Sequence, residues 1–118
     1  MRLVIMESPF GNKDPKVVEE NKRYARLCMH DCLMRGDAPF ASHLLYTQEG
    51  VLDDNIPEER NFGIEAGLAW GKAAEVTVVY LDRGMSRGME YGVERAGLDG
   101  RPVETRYLPD YNNLFPSG

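Results

Sequence analysis

The chain has 118 residues, of which 42% are hydrophobic and 28% are charged, and its formal net charge is −5 at pH 7. This length predicts one compact domain with a single hydrophobic core. The negative charge argues against general nucleic-acid binding, because binding of that kind needs a face that neutralises many phosphates.

Strand and helix patterns alternate from the start of the chain. A short apolar run at Leu3–Met6 predicts a strand, and the proline and glycine within Glu7–Gly11 predict the loop that ends it. Asp14–Pro15 combines a capping residue with a first-turn proline, which predicts the start of a helix. That helix runs to about Arg35, and Gly36 ends it.

The middle of the chain repeats this pattern. Residues 38–46 hold the second predicted strand and its exit loop, and residues 47–55 lack a regular period, which predicts a further loop. Pro57 fits the first position of a second helix, where the acidic residues that follow favour the positive end of the helix dipole. The β-branched apolar run Val76–Leu81 predicts the most clearly defined strand.

The last part of the chain adds a third helix at Ser86–Ala96 and a fourth strand at Pro102–Leu108. We expect residues 1–108 to form the domain and residues 109–118 a C-terminal tail. Strands separated by single helices predict right-handed crossovers. The fold class is therefore α/β, with a mostly parallel sheet of about four strands and helices on both faces.

Two cysteines, Cys28 and Cys32, lie four residues apart on the first predicted helix. Their spacing matches neither a zinc site nor a redox CxxC pair, so we expect buried free thiols, and we predict no metal site and no cofactor. No apolar run approaches the roughly 18 residues that a membrane span needs. The first strand turns acidic at Glu7 without the apolar core of a signal peptide, so we expect a cytoplasmic protein.

Polar and glycine residues follow three of the predicted strands. Because parallel strands end at one edge of a sheet, Ser8–Gly11, Ser42–His43 and Asp82–Gly84 are expected to meet at one rim, where α/β folds bind ligands. Beyond the third strand, Ser86 either caps the next helix or donates to an oxyanion, and Gly88 lets the backbone approach a ligand.

Some of these residues fit a second interpretation. Gly88, Gly92 and Ala96 form a small-residue stripe that also suits close packing of the third helix on the sheet. Glu90 is either a nucleophile whose ionised form the helix dipole favours or a solvated glutamate.

The remaining polar candidates also have two interpretations each. Asp53 and Asp54 either contact sugar hydroxyls and act as acid and base, or form a solvated acidic turn before the second helix. His43 is either a ligand contact or a structural histidine.

Several short motifs, taken in this order, resemble the nucleoside 2-deoxyribosyltransferase-like superfamily. The motifs are Ser8-Pro9-Phe10, Pro39–Leu44, Leu52–Arg60, Gly63–Gly67 and Asp82-x-Gly84-x-Ser86-x-Gly88-Met89. The resemblance covers residues 2 to about 108 and is to the small, mostly uncharacterised domains of that group in bacteria and phages. It implies a Rossmann-like three-layer domain with a pocket for a nucleoside or nucleotide.

The resemblance also implies a chemistry. In active relatives a glutamate on the helix after the third main strand attacks the anomeric carbon, and a free base or water resolves the glycosyl-enzyme. Active relatives are commonly oligomers, so a homo-oligomer is expected. The residues expected to contact the ligand are Ser8, Pro9, Phe10, Gly11, His43, Asp53, Arg60, Gly84, Ser86, Gly88 and Met89.

The chain departs from this pattern at the nucleophile. The matching position, four residues after Gly88, is Gly92, which has no carboxylate. Glu90 takes this role only if the helix starts later or the alignment shifts by two residues, since a two-residue offset turns a side chain by roughly 200° around a helix.

Three functions therefore stay open. The first is an N-glycosidic hydrolase or transferase acting on a nucleoside or nucleotide, with Glu90 as nucleophile and Asp82 or Asp54 assisting. The second is a non-catalytic protein of phage or prophage origin that senses or sequesters a nucleotide. The third is a phage interaction module with a vestigial pocket.

Overall fold

The computed structural model describes residues 1–116. One sheet of four strands runs through it in the order β2-β1-β3-β4, and every neighbouring pair is parallel. The strands are β1 (Arg2–Glu7), β2 (Asp37–Phe40), β3 (Val76–Tyr80) and β4 (Val103–Arg106). The predicted α/β class and the Rossmann-like parallel sheet are confirmed.

Within residues 1–116, five helices connect and flank these strands. Asp14 accepts a hydrogen bond from the Lys16 amide and Pro15 follows it, so the longest helix begins where the sequence predicts. The helices are α1 (Pro15–Met34), α2 (Ser42–Leu45), α3 (Pro57–Gly71), α4 (Arg87–Leu98) and α5 (Tyr111–Leu114). Among residues 1–116, no helix has the length and apolar character needed to cross a membrane.

Two segments differ from the sequence predictions. The exit of the second strand is a short helix, α2, and the tail contains another, α5. The Tyr111 ring lies 5.6 Å from the Tyr24 ring and the Phe115 ring lies 5.9 Å from it, both edge to face. The described part of the tail therefore packs on α1, and the last two residues of the predicted tail lie outside the described part of the chain.

One face of the sheet is covered by α1 and is closed. Alternation along β1 directs Val4 and Met6 to this face, where each is 1% exposed. The two cysteines of α1, Cys28 and Cys32, are fully buried against the same core and are free thiols, as predicted.

The other face carries α3 and α4 and is open. Ile5 and Glu7 point to this side of β1, opposite to Val4 and Met6, and both line a cavity between the two helices. Alternate side chains of β1 thus enter the hydrophobic core on one face of the sheet and the cavity on the other.

Candidate functional site

A cavity of about 820 Å³ lies at the carboxyl end of β1, walled by residues of α2, α3 and α4. This is the edge at which parallel α/β sheets bind ligands. The volume falls within the range of small-molecule sites, which is roughly 300–1,000 Å³.

The carboxylate of Glu7 lies directly against Gly92 inside this cavity. A Cβ atom built on Gly92 would lie 2.6 Å from Glu7 Cδ, closer than real Cβ atoms approach other atoms, and 3.1 Å from Glu7 Oε1, which is a tight contact. Gly92 therefore leaves the space that the glutamate from β1 occupies. Any side chain at position 92 would displace this carboxylate.

Burial governs the ionisation of Glu7. Removal from water disfavours the charged form and raises the pKa of Glu7 from 4.5 to about 7, while the positive charge of Arg101 acts in the opposite direction. At neutral pH the carboxylate is therefore poised between its protonated and ionised forms. Enzymes use this range of pKa for acid, base and nucleophilic groups.

Arg101 holds three elements together beneath the cavity. Its side chain is 6% exposed. Nε donates to Thr77 Oγ1 at 2.9 Å, and Nη1 donates to the Gly71 carbonyl at 2.7 Å. Nη1 also lies 3.3 Å from Asp99 Oδ2 at the end of α4. Arg101 thus connects α3, β3 and the end of α4 while its charge acts on Glu7.

A serine and a histidine form a second polar pair on the cavity wall. Ser8 Oγ, at the end of β1, lies 2.7 Å from His43 Nε2 of α2. Burial lowers the pKa of His43 to about 4, so the imidazole is neutral at neutral pH. The ring of Phe10 packs on it edge to face with centroids 6.2 Å apart, which leaves an aromatic surface beside the polar pair.

Helix α4 presents an arginine-rich face to the cavity. Arg87, Tyr91 and Arg95 recur at every fourth residue and line the cavity with the intervening glycines, Gly88 and Gly92. Within residues 1–116, Arg95 Nε is a buried donor that has no hydrogen-bond acceptor. The same nitrogen forms an ion pair at 3.7 Å with Asp99 Oδ1, which is too long for a hydrogen bond. This face therefore offers positive charge to a ligand, although the whole chain is acidic.

Glycines also form the wall that α3 contributes. Gly63, Gly67 and Gly71 recur at every fourth residue and face the cavity. A Cβ on Gly67 would lie 2.8 Å from Ser42 Oγ, so glycine is needed where α3 crosses α2. Nearby, the ring of Phe40, which lines the cavity, lies 5.5 Å from the ring of Trp70.

Most of the residues predicted as a site come together here. Ser8 and His43 converge from separate strand ends, as the topology predicts. The predicted residues that line the cavity are Ser8, Phe10, Gly11, His43, Asp54, Arg60, Ser86, Gly88 and Met89. On the rim, Asp54 Oδ1 lies 4.0 Å from Arg60 Nε.

The start of α4 uses two of these residues to cap the helix. Ser86 Oγ accepts from the Met89 amide at 3.3 Å, and Met89 Sδ accepts from the Ser86 amide at 3.4 Å. The capping interpretation of Ser86 is therefore confirmed, and Met89 is buried beneath the helix start.

Five predicted residues lie away from the cavity lining: Pro9, Asp53, Asp82, Gly84 and Glu90. Asp82 Oδ2 accepts from the Tyr24 hydroxyl at 2.7 Å and from the Leu108 amide at 2.9 Å, so this carboxylate joins α1 to the C-terminal segment. Gly84 occupies a turn with φ of +86°, a conformation that favours glycine.

The other outlying residues have local contacts. Asp53 Oδ1 accepts from the Asn55 amide at 2.9 Å in a turn before α3. Pro9 lines a smaller hollow of about 380 Å³ that adjoins the cavity at Gly11 and Ser86. Glu90 is exposed on α4, because the two-residue offset from Gly92 turns its side chain away from the cavity.

The sequence patterns do not predict Glu7, Arg95 or Arg101 as residues of this cavity. A signal for Glu7 exists, because it is an acidic residue at the end of a buried parallel strand and shares a face with Ile5. Arg101 and Arg95 give no comparable signal, since their role depends on how α3, α4 and β4 pack. Among the described residues, no group of three or more histidine, cysteine or acidic side chains is arranged to hold a metal ion.

The fold of this chain is similar to that of a solved protein structure. A solved structure of 2-deoxyribosyltransferase from the psychrotolerant bacterium Bacillus psychrosaccharolyticus matches with a TM-score of 0.61 and 18% identity, over 98% of this chain and 92% of that one. The predicted superfamily resemblance is thereby confirmed at the level of the fold. No curated protein matches the chain. A family model described as "Domain of unknown function (DUF7768)" matches residues 2–106, so the chain belongs to the DUF7768 family.

Proposed function

We propose that this protein cleaves or exchanges the N-glycosidic bond of a nucleoside or nucleotide, with Glu7 as the catalytic carboxylate. The observation that supports this most directly is the position of Glu7 against Gly92 in the cavity. Resemblance to active relatives puts their nucleophile at the position of Gly92. Here a carboxylate enters the same space from β1 instead of from α4.

The proposed reaction has two displacements. Ionised Glu7 attacks the anomeric carbon, a carbon–oxygen bond forms, and the carbon–nitrogen bond breaks with its electron pair leaving on the base, which takes a proton from water. Water or a second free base then attacks the same carbon, the carbon–oxygen bond to Glu7 breaks, and the proton that the attacking group loses neutralises the hydroxide left by the first step. The transition states resemble an oxocarbenium ion, which the negative carboxylate stabilises.

The cavity suits a ligand with a sugar, a flat base and a negative group. The Phe10 ring offers a surface for the base, and Asp54 offers an acceptor for sugar hydroxyls. Arg87 and Arg95 favour a substrate that carries a phosphate, since Coulomb attraction is strong where water is partly excluded. A nucleoside monophosphate therefore fits better than an uncharged nucleoside.

The test measures base released from a panel of ribo- and deoxyribonucleosides and their 5′-monophosphates, using mass spectrometry. We expect release by the wild type, loss of release in Glu7→Gln, and unchanged release in the matched control Glu94→Gln, an exposed glutamate of α4. Release that survives Glu7→Gln but disappears in Glu90→Gln would return the nucleophile to Glu90.

An exchange variant tests the geometry itself. Gly92→Glu alone places two carboxylates in one space and is expected to be inactive, as is Glu7→Gly alone. The double variant Glu7→Gly with Gly92→Glu moves the carboxylate to α4, and we expect it to recover part of the activity. Failure of the double variant despite normal folding and ligand binding argues against the interchange of these two positions.

A non-catalytic nucleotide-binding protein is the second candidate. It is favoured by the glycine at the position where relatives carry their nucleophile. Binding without turnover supports it: a nucleotide raises the melting temperature of the wild type, while no substrate of the panel releases its base. In that case Glu7→Gln retains a measurable affinity.

A further inference from the structure

Arg95 brings a buried hydrogen-bond donor to the cavity without an acceptor for it. No acceptor lies within hydrogen-bond distance of its Nε in the part of the chain that the structure describes. The carboxylate of Asp99, 3.7 Å away, pairs with this nitrogen by charge alone. Because a buried donor without an acceptor is costly, Arg95 Nε points to an acceptor that a bound ligand supplies.

The sheet register defines the inner end of the cavity, toward the amino ends of the strands. Thr77 of β3 pairs with Ile5, which is two residues before Glu7 on β1. Arg101 donates to Thr77 Oγ1 at 2.9 Å. Because strands rise about 3.3 Å per residue, this anchor of Arg101 lies about 7 Å inward from Glu7, measured along the strands.

Arg95 belongs to the same inner end. Asp99 joins the two arginines, since its Oδ1 lies 3.7 Å from Arg95 Nε and its Oδ2 lies 3.3 Å from Arg101 Nη1. Arg101 also donates to the carbonyl of Gly71, the last residue of α3, and so bridges the ends of α3 and α4. Two arginines and one aspartate leave one net positive charge here. Such a charge, together with a donor that lacks an acceptor, suits a phosphate group.

The outer end of the cavity is aromatic instead. Phe10 lies three residues beyond Glu7, past the end of β1, and its ring packs on that of His43. Glu7 and Gly92 therefore lie between the aromatic surface and the inner arginines. A 5′-nucleotide has its parts in the same order, because its base is bonded to the anomeric carbon and its phosphate lies on the far side of the sugar.

Arg87 is the other arginine that α4 presents to the cavity. It is the exposed first residue of the helix, eight residues and about 12 Å before Arg95. Water and salt screen an exposed charge, whereas Arg95, which is 35% exposed, acts where water is partly excluded. At the start of α4, moreover, Ser86 Oγ already accepts from the Met89 amide. The inner end is therefore the better place for a phosphate.

We propose that Arg95 is the specificity-determining residue for a 5′-monophosphate, and that the nucleotide lies with its phosphate at the inner end and its base at Phe10. The inference rests on the proposed function, because Glu7 then faces the anomeric carbon. Arg95 Nε donates to the phosphate, and Arg101 adds positive charge beside it. Since Arg101 bridges the ends of α3 and α4, a longer phosphate chain meets this bridge, and the monophosphate is preferred.

The test is isothermal titration calorimetry of the Glu7→Gln variant, which measures binding without turnover. The ligands are a deoxynucleoside, its 5′-monophosphate, its 3′-monophosphate and its 5′-triphosphate, taken for each of the four common bases. We expect the 5′-monophosphate to bind about tenfold more tightly than the other three. Adding Arg95→Gln should remove this preference, and Arg95→Lys should retain part of it.

Two further arginine variants make the test specific. Arg26→Gln removes the same charge from an exposed residue of α1, on the other face of the sheet, and should leave each affinity unchanged. Arg87→Gln should weaken binding of the 5′-monophosphate less than Arg95→Gln does. Circular dichroism checks that each variant is folded.

Two results would overturn the proposal. One is equal affinity for a nucleoside and its 5′-monophosphate with every base. The other is a preference for the 5′-monophosphate that survives Arg95→Gln and disappears in Arg87→Gln. Base release by the wild type is measured separately, so failure of the proposed function is distinguished from failure of this inference.

Discussion

The two faces of the sheet differ in what they bury. Against α1 the sheet packs Val4, Met6 and Tyr80, together with other large side chains that exclude water. Against α3 and α4 it presents a partly buried glutamate and a buried arginine beside helices that carry glycine where they face the cavity. The α1 face holds the main hydrophobic cluster, and the other face holds the cavity that we propose as the ligand site.

Polar groups on the α1 face are satisfied by each other. Arg106 Nη2 donates to Asp37 Oδ2 at 2.7 Å, and the Tyr80 hydroxyl donates to Asp31 Oδ2 at 2.6 Å. On the cavity face, by contrast, burial raises the pKa of Glu7 and Arg95 Nε lacks an acceptor among the described residues. The cavity face therefore carries a carboxyl with a raised pKa and a donor without an acceptor, both available to the ligand that we propose.

The largest effect on stability is expected from the closed face. Met6→Ala removes a side chain that is 1% exposed, so we expect it to lower the free energy of unfolding by about 2–5 kcal/mol. Urea denaturation measures this change. Leu98→Ala, at a position that is 74% exposed, is the control, and an equal loss there would contradict the distinction between covered and open surface.

Glu7→Gln is expected to raise the free energy of unfolding, whereas Met6→Ala lowers it. The wild-type pKa of Glu7 lies near 7 instead of 4.5, so the folded state binds the extra proton and its stability falls as the pH rises through that interval. The Glu7→Gln variant has no carboxyl at this position, so its stability does not fall in this way as the pH rises. At pH 8 it should be more stable than the wild type by on the order of 1–3 kcal/mol.

The measurement for Glu7→Gln is urea denaturation of both proteins at pH 8 and at pH 4. The difference should nearly vanish at the lower pH, where the wild-type carboxyl is protonated in both states. Because burial lowers the pKa of His43, the folded state becomes less stable as the pH falls from 6.5 toward 4. Both proteins contain His43, so this effect cancels in the difference between them. A constant difference at both pH values would assign the effect to packing.

Asp82→Ala tests the anchor on the α1 side. It removes the acceptor for the Tyr24 hydroxyl and the Leu108 amide, and we expect a loss of about 1–3 kcal/mol in the free energy of unfolding. Base release and ligand affinity should stay close to wild type. A loss of turnover in a folded Asp82→Ala variant would restore the catalytic role predicted for this residue from the sequence.

The smallest expected effect is a shift in the pKa of Glu7 when the charge of Arg101 is removed. Removing its charge in Arg101→Met should raise the pKa of Glu7 above about 7, because Arg101 favours the ionised carboxylate. The pH at which the rate reaches half its maximum should then move upward, and Arg101→Lys should return it part of the way. Side-chain NMR of Glu7 measures the same pKa shift without reference to turnover.

Local signals predicted the elements of this fold well. Asp14 and Pro15 start α1 through a cap and a fixed φ, and Val76–Tyr80 forms a buried strand because β-branched residues suit the centre of a parallel sheet. These features depend on neighbours in sequence. The helical turn at Ser42–Leu45 was not predicted, since it is too short for a period to appear.

The site was harder to predict because it depends on side-chain direction. Asp82 follows the central strand β3, as a ligand-binding acid would, yet its carboxylate turns toward Tyr24. Glu90 lies on the expected helix but points away from the cavity. Glu7 falls in the loop that the sequence predicts after the first strand, and only the packing of α4 over β1 brings its carboxylate to Gly92.

The close approach of Glu7 and Gly92 has a consequence for sequence variation in this family. One space holds one side-chain end group, so a glutamate at position 92 requires a smaller residue at position 7, and the reverse. The two positions are expected to vary as a coupled pair across homologues. A domain with glycine at this position of α4 can still carry a carboxylate in the same space. The last residue of its first strand therefore has to be identified before the domain is classified as inactive.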